Sequence, residues 1–236
     1  ADVEHRESCE DATGHCMSLR VGLTGGLASG KTVVAQMFAS RGAYLMHADK
    51  IAHELMRPDQ PTYEEVVRHF GDAVINSDKT INRPILAALA FEGERVKELN
   101  AIVHPAVTAR MQQWFGEMSE FDPKGVLIFE AALILEAGMG KYFDKLIVVT
   151  SNREQKLERF AQRVLGTAVS NTEELERALR DAERRLGAQL SESEKVAAAD
   201  YVIGNSGSLA ETERQVTTIF KELQALAMSG PIASHW

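Results

Sequence analysis

Gly25, Gly30, Lys31 and Thr32 fall at the spacing G-x-x-x-x-G-K-[ST], and a loop of that composition holds a phosphate chain. Gly25, Gly26 and Gly30 let the backbone turn sharply and approach a ligand, so that successive N–H groups face one anion. A helix beginning near Gly30 adds the positive end of its dipole. Lys31 then reaches the outer phosphates as a point charge, and the Thr32 hydroxyl is placed to hold a Mg2+ ion bridging phosphate oxygens. Glycine-rich turns that bind nothing are common between strands and helices. Few of them carry Lys and Thr at these positions with an apolar strand before and an amphipathic helix after.

That loop needs a strand and a helix to position it, and both are legible. Within residues 19–38, LRVGLTGGLASGKTVVAQMF, an apolar strand runs into the turn and an amphipathic helix follows, continuing to residue 40, where Gly42 closes it. Residues 43–48, AYLMHA, read as a second strand that delivers Asp49 to the carboxyl edge of a parallel sheet, where ligands collect. Asp49 also suits the cap of the helix KIAHELM that follows it, a role compatible with the first. Residues 125–130, GVLIFE, have the form of a buried parallel strand ending in Glu130, and the apolar run ALIL ends in Glu136. Either carboxylate could orient Mg2+ through water, and either could be a plain surface group. Residues 144–150, DKLIVVT, and 199–205, ADYVIGN, complete the strands. A closing amphipathic helix over 209–228 has Val216, Ile219, Phe220, Leu223 and Leu226 on its buried stripe.

Two stretches depart from the alternation of strand and helix. Residues 51–120 show helical patterns broken at Pro58, Pro61, Gly71, Pro84 and Pro105, including ILAALAF and a segment over 95–103, with a brief strand-like piece at Val74 and Ile75. Such an insertion is where a phosphoryl-transfer enzyme builds its acceptor site. Arg83 and His104, each just ahead of a proline, are its candidate polar groups, with a satisfied structural role the competing reading. Residues 152–195 are highly charged. Arg153, Lys156, Arg159 and Arg163 fall on one helical face that starts at the carboxyl edge of the sheet, which favours an anion clamp over a solvated face. Asn171 with Glu174 resembles a capping box opening a second helix that carries Arg177, Arg180, Arg184 and Arg185. Two charged helices joined by VLGTAVSN suggest a mobile lid.

Composition sets the outer limits. With 236 residues and 44% hydrophobic content, the chain can bury one α/β core plus a smaller unit. A net charge of -8, without a long basic run, argues against a nucleic-acid surface. No apolar run approaches the roughly 18 residues that cross a bilayer. The expectation is a cytoplasmic protein, monomeric or a weak homo-oligomer, with no nucleic-acid or membrane partner. Cys9 and Cys16 share residues 1–16 with His5 and His15, but the segment is polar, aperiodic and lacks a C-x-x-C spacing. It reads as a disordered extension ahead of Met17, so the core has neither disulfide nor zinc. The expected organisation is 1–16 extension, 17–50 nucleotide-binding core, 51–120 helical acceptor domain, 121–151 core, 152–198 lid, 199–230 final strand and helix, and 231–236 tail.

The series VGLTGGLASGKT, HADKIAHEL, INRPILAALAF, LNAIVHPAV, ALILEAG, FDKLIVVT, LERFAQR and ADYVIGNSGS resembles, in order and spacing, the dephospho-coenzyme A kinase family from about Leu19 to Leu226. The resemblance implies a P-loop NTPase α/β fold: a three-layer sandwich on a parallel sheet, with a helical substrate-binding insertion and a helical lid. It implies Mg2+-dependent transfer of the γ-phosphoryl of ATP to the ribose 3′-hydroxyl of dephospho-coenzyme A, the last step of coenzyme A synthesis. Carried onto this chain, Gly25, Gly26, Leu27, Ala28, Ser29, Gly30, Lys31, Thr32 and Val33 bind ATP, with Arg159 and with Asn205 near the adenine. Asp49 stands by the acceptor hydroxyl as base or through the metal, which Thr32 and Asp49 hold. Arg83, His104 and Glu136 match acceptor-side motifs, and Lys31, Asp49 and Arg163 carry the catalysis. Ala28 stands where the family's loop has glycine, Val33 where it has threonine, Ala132 for a proline and Glu130 for an aspartate, and the lid is longer. The alternatives are another small-molecule kinase, such as a nucleoside or nucleotide kinase, or a P-loop switch; no N-K-x-D signature supports the latter.

Overall fold

A computed structural model describes residues 18–92, 95–166 and 172–229. The extension at 1–16, the tail at 231–236 and the cap at Asn171 lie outside the described residues. Two compact units are present, Ala1–Met46 with Glu117–Trp236, and His47–Gly116.

The first unit is built on β1 (Leu19–Gly25), in which every residue but Arg20 is buried. It pairs in parallel with β3 (Val126–Glu130) on one side and β4 (Lys145–Thr150) on the other, and β4 pairs in parallel with β5 (Tyr201–Gly204). With β2 (Tyr44–His47) outside β3, the order is β2-β3-β1-β4-β5. Both faces of the central strands are covered, which is why they read as unbroken apolar runs rather than alternating ones. Leu19, Val21, Leu23, Ile128, Ile147 and Val149 face one helical layer, α1 (Lys31–Ala39) and α9 (Leu209–Ser229). There Phe38 meets Phe220 edge-on at 6.2 Å. The intervening residues point the other way, where Phe129 stacks on Phe143 and the short helix α8 (Glu192–Ala197) lies against β4. The result is the expected three-layer α/β sandwich, and Leu23, with no exposed surface, is worth about 2 to 5 kcal/mol against truncation to Ala.

The charged stretch folds as α6 (Arg153–Leu165) and α7 (Thr172–Gly187). It holds one helix more than expected. Ser191 and Glu194 form a reciprocal capping box that starts α8.

The second unit contains α2 (Ala48–Leu55), α3 (Pro61–Phe70), α4 (Arg83–Glu92) and most of α5 (Val96–Phe121). Its prolines break less than expected. Pro61 sits in the first turn of α3 and Pro84 is the second residue of α4, where a missing N–H costs nothing. Pro105 lies inside α5, and the helix expected over 95–103 continues through it. An interior proline costs about 3 kcal/mol, and the stripe Val103, Val107, Met111, Trp114 and Phe115, all buried, offsets that loss. The strand-like piece at Val74 and Ile75 is a 3-10 turn over Asp72–Val74 followed by one antiparallel bridge, Ile75 to Ile81.

Candidate active site

The phosphate loop closes β1 and opens α1, and its geometry explains its residue types. A Cβ on Gly25 would lie 2.3 Å from the Val149 carbonyl oxygen, and one on Gly30, where φ is 92°, would lie 2.0 Å from Asn205 Nδ2. No side chain fits at either place. Ala28 takes the left-handed conformation at φ 53° that the glycine it replaces would adopt without strain. Lys31 folds back over the loop, its Nζ donating to the carbonyls of Gly25 and Gly26 at 3.1 Å each. No side chain caps α1, whose N-cap is Gly30, so that helix end is suited to an anion. Leu27 and Ser29 carry the loop between these points, with Ser29 fully buried and its Oγ without a partner among the described residues. Val33 is exposed in the first turn of α1, as is Thr32.

Asn205, just past β5, is buried beneath this loop. Its Nδ2 donates to the Ser29 carbonyl at 2.8 Å and its Oδ1 accepts from Thr212 Oγ1 at 3.0 Å. Arg159 of α6 completes the arrangement: Nη2 donates to the Asn205 carbonyl at 3.0 Å, while Nη1 is buried without a partner among the described residues. That Nη1 lies 3.7 Å from where a Cβ on Gly30 would be. An unpaired buried guanidinium N–H costs about 1 to 3 kcal/mol, which an anion on the loop would recover.

The rest of the expected cationic row has three different fates. Arg153 is exposed and paired with Glu183 of α7 at 2.8 Å. Arg163 lies with its guanidinium 5.4 Å from the Phe160 ring centre, and Arg185 of α7 approaches the same ring at 5.5 Å. Lys156 is buried and bonded to Glu192 of α8, its Nζ 3.5 Å from where a Cβ on Gly26 would be. Burial, and after it the neighbouring Lys195, pulls Lys156 below the ordinary lysine value.

Beside the loop Arg153, Lys156 and Glu192 line a cleft of about 200 Å³ with Gln189, Leu190 and Lys195. Gln189 Oε1 accepts from the Leu27 N–H at 3.1 Å. Glu136 is tied here too: its Oε1 accepts from Lys195 Nζ at 2.7 Å and from the Leu190 N–H at 3.1 Å, and its Oε2 is buried without a partner among the described residues. Glu130, at the end of β3, stands in register with Leu23 of β1. Gln189, Glu192 and Lys195 were not anticipated. A charged stretch gives no sign of which of its members are buried.

Asp49, Arg83 and His104 belong to the helical unit. Asp49 is exposed in the first turn of α2, which begins one residue earlier with His47 at the cap, so Asp49 favours the helix dipole rather than capping it. Arg83 opens α4, and its Nη1 lies 3.0 Å from Nδ1 of His53, one turn along α2 from Asp49. His53 also escaped notice, although the four-residue step from Asp49 was a usable signal. His104 is half-buried in α5, and burial lowers its pKa below the ordinary histidine value.

The donor set suits a hard divalent cation held mainly by phosphate and water. Among the described residues the exposed Thr32 hydroxyl makes no hydrogen bond to protein, and no three His, Cys, Asp or Glu side chains gather into a cage.

Comparison with known proteins finds one family across residues of both units. The dephospho-CoA kinase family model matches residues 19–211, a span holding the phosphate loop, the whole helical unit and the charged helices. The chain is 40% identical to the dephospho-CoA kinase of Aquifex aeolicus over 205 residues, covering 86% of this chain and 97% of that protein. It is 35% identical to that of Leifsonia xyli over 206 residues, 86% of this chain and 98% of that protein. The structure of dephospho-CoA kinase from Campylobacter jejuni superposes with a TM-score of 0.63 at 25% identity, over 89% of this chain and 98% of that one. A shared phosphate loop alone would not extend this far, and a chain alike from its first strand to its last helix belongs to the dephospho-CoA kinase family.

Proposed function

We propose that this kinase transfers the γ-phosphoryl of ATP to the ribose 3′-hydroxyl of dephospho-CoA, giving CoA and ADP. The observation that carries this reading is the family match across the helical unit, because the loop by itself is common to NTPases of every function. ATP-dependent phosphoryl transfer uses a divalent cation, here taken to be Mg2+, which neutralises charge on the outer phosphate oxygens; Thr32 and Asp49 are its proposed protein ligands.

The loose transition state of phosphoryl transfer asks the protein to position groups and offset charge. Lys31 would exchange the Gly25 and Gly26 carbonyls for phosphate oxygens, and the N–H groups at the start of α1 would hold the same anion. Arg159 would offer its unpaired Nη1. Arg163, stacked on Phe160, would swing to the transferring group as the lid closes. Asp49 would take the proton of the acceptor hydroxyl or orient it, and Arg83, His104 and Glu136 are assigned to the acceptor on the strength of their motifs. Asn205 would border the adenine through the turn that follows it, its own amide being engaged with the loop. No helix among the described residues is long and apolar enough to cross a membrane. We place the enzyme in the cytoplasm, since no cysteine follows Cys16 and the fold asks for no oxidising compartment.

The test is transfer from labelled ATP to dephospho-CoA, with adenosine and AMP as control acceptors and the product read by mass. A product one phosphoryl group heavier with dephospho-CoA alone is the expected result. Transfer to a control acceptor, or to none, overturns the assignment.

A further inference from the structure

Within the helical unit Asp49, His53 and Arg83 come together, and His53 has no part in the reading above. Asp49 and His53 stand four residues apart on α2 and so on one face. Arg83 Nη1 lies 3.0 Å from His53 Nδ1. A guanidinium has only donors, so Nδ1 is the acceptor in this contact, and the ring is neutral with its proton on Nε2. We infer that His53 is a positioning residue for acceptor binding: its neutral Nδ1 holds the Arg83 guanidinium so that the remaining N–H groups face the anionic phosphates of the acceptor substrate. The inference rests on the reading of Arg83 as an acceptor-side residue.

A purely structural role fits the pair poorly. Both side chains are exposed, and an exposed contact of this kind contributes little to folding. It does fix the direction of a flexible, five-donor side chain at the head of α4, which is what recognition of phosphate oxygens needs. Titration then enters with a definite sign. Partial desolvation first and Arg83 second lower the pKa of His53, and Asp49 on its own helix raises it; α3, also packed against α2, carries Glu64, Glu65, Arg68 and His69. The net value lies below the ordinary histidine value, so the contact holds at neutral pH. Protonation turns Nδ1 into a donor and sets a cation against a cation, and the contact is lost as pH falls through that lowered value.

Initial rates of the full chain, with dephospho-CoA and ATP varied separately from pH 5.5 to 8, test this with His53→Ala, His53→Asn, Arg83→Ala and the double variant His53→Ala/Arg83→Ala. His53→Ala is expected to raise KM for dephospho-CoA about 10-fold, the worth of a hydrogen bond to a charged group, with KM for ATP unchanged. His53→Asn, whose Oδ1 can accept from Arg83, should restore most of the loss and abolish the rise in KM that the parent shows at low pH. In the Arg83→Ala background, His53→Ala should add nothing. If Arg83→Ala leaves the acceptor KM untouched, the reading of Arg83 fails and takes the inference with it. If Arg83→Ala raises that KM while His53→Ala does not, or if the two add, or if His53→Asn keeps the acid limb, the role of His53 alone is overturned. The pH profiles of the parent and His53→Asn decide the matter even where His53→Ala folds poorly.

Discussion

Asn205 and Ser29 are joined by a 2.8 Å hydrogen bond from amide to carbonyl across 176 positions of chain. Because Thr212 donates to the other end of the same amide at 3.0 Å, the Asn205 side chain is fixed in direction, and the floor of the phosphate loop with it. Asn205→Ala leaves the Ser29 carbonyl unpaired at a buried position and should cost about 1 to 3 kcal/mol. Asn205→Asp keeps the shape but loses the donor and sets a carboxylate against a carbonyl, so it should do worse. Both variants should melt earlier and show a raised KM for ATP. Parental stability together with parental ATP affinity in Asn205→Asp would show that the clamp does not hold the loop.

Lys31 and Asp49 are assigned to different halves of the reaction, and their variants should differ accordingly. Lys31→Met removes a cation preorganised on the loop and should lower kcat about 10²- to 10³-fold. Asp49→Asn removes the proposed base and metal ligand and should lower kcat about 10²- to 10⁴-fold, read by initial rates at saturating ATP and divalent cation. Near-parental turnover of Asp49→Asn would remove it from the chemistry.

How much of this was legible in the sequence follows from how local each feature is. The loop, its strand and its helix span one contiguous stretch, so spacing and periodicity suffice to read them. Strand order is set by pairings such as Val21 with Lys145, which no local pattern displays. Lys156 shows the limit most clearly. Its spacing marks a helical face on α6, yet Lys156 itself is buried against Glu192 of α8, a helix of 6 residues, too short for a periodic signal. Lys195 was hidden in the same way, as a charged residue in a charged segment whose burial is a tertiary fact. Pro105 misled in the opposite sense, since its local veto on helix is weaker than the buried stripe around it.

Lys195 of the short helix α8, 1% exposed, makes a 2.7 Å pair with Glu136. Removing one partner of a buried pair typically costs about 3 to 5 kcal/mol, because the other charge is left behind. Lys195→Met should therefore sit near the lower end of that range, Glu136 being partly reached by solvent. Adding Glu136→Gln should return more than half of the loss. Urea titration of the single and double variants measures both. A double variant no more stable than Lys195→Met would mean that the cost lies in packing and not in the stranded carboxylate.

Asp144 provides a pH-dependent contrast at the amino edge of the sheet, just ahead of β4. Its Oδ2 accepts from the Arg20 N–H at 2.7 Å where β1 meets the start of β4. Burial raises its pKa above the ordinary 3.8, outweighing that hydrogen bond and the charges of Arg20 and Lys145. A folded-state value above the unfolded one means that the folded protein binds its proton more tightly. Stability from this group is complete below the unfolded value and is lost as pH rises through the folded value. At pH 7 the ionised carboxylate is thus a burden. Asp144→Asn, whose Oδ1 can still accept from Arg20, should melt no lower than the parent at pH 7 and converge with it as pH falls towards 3. Melting curves across that range check the sign: a variant clearly less stable at pH 7 would show that the ionised carboxylate and its backbone hydrogen bond contribute more than burial costs.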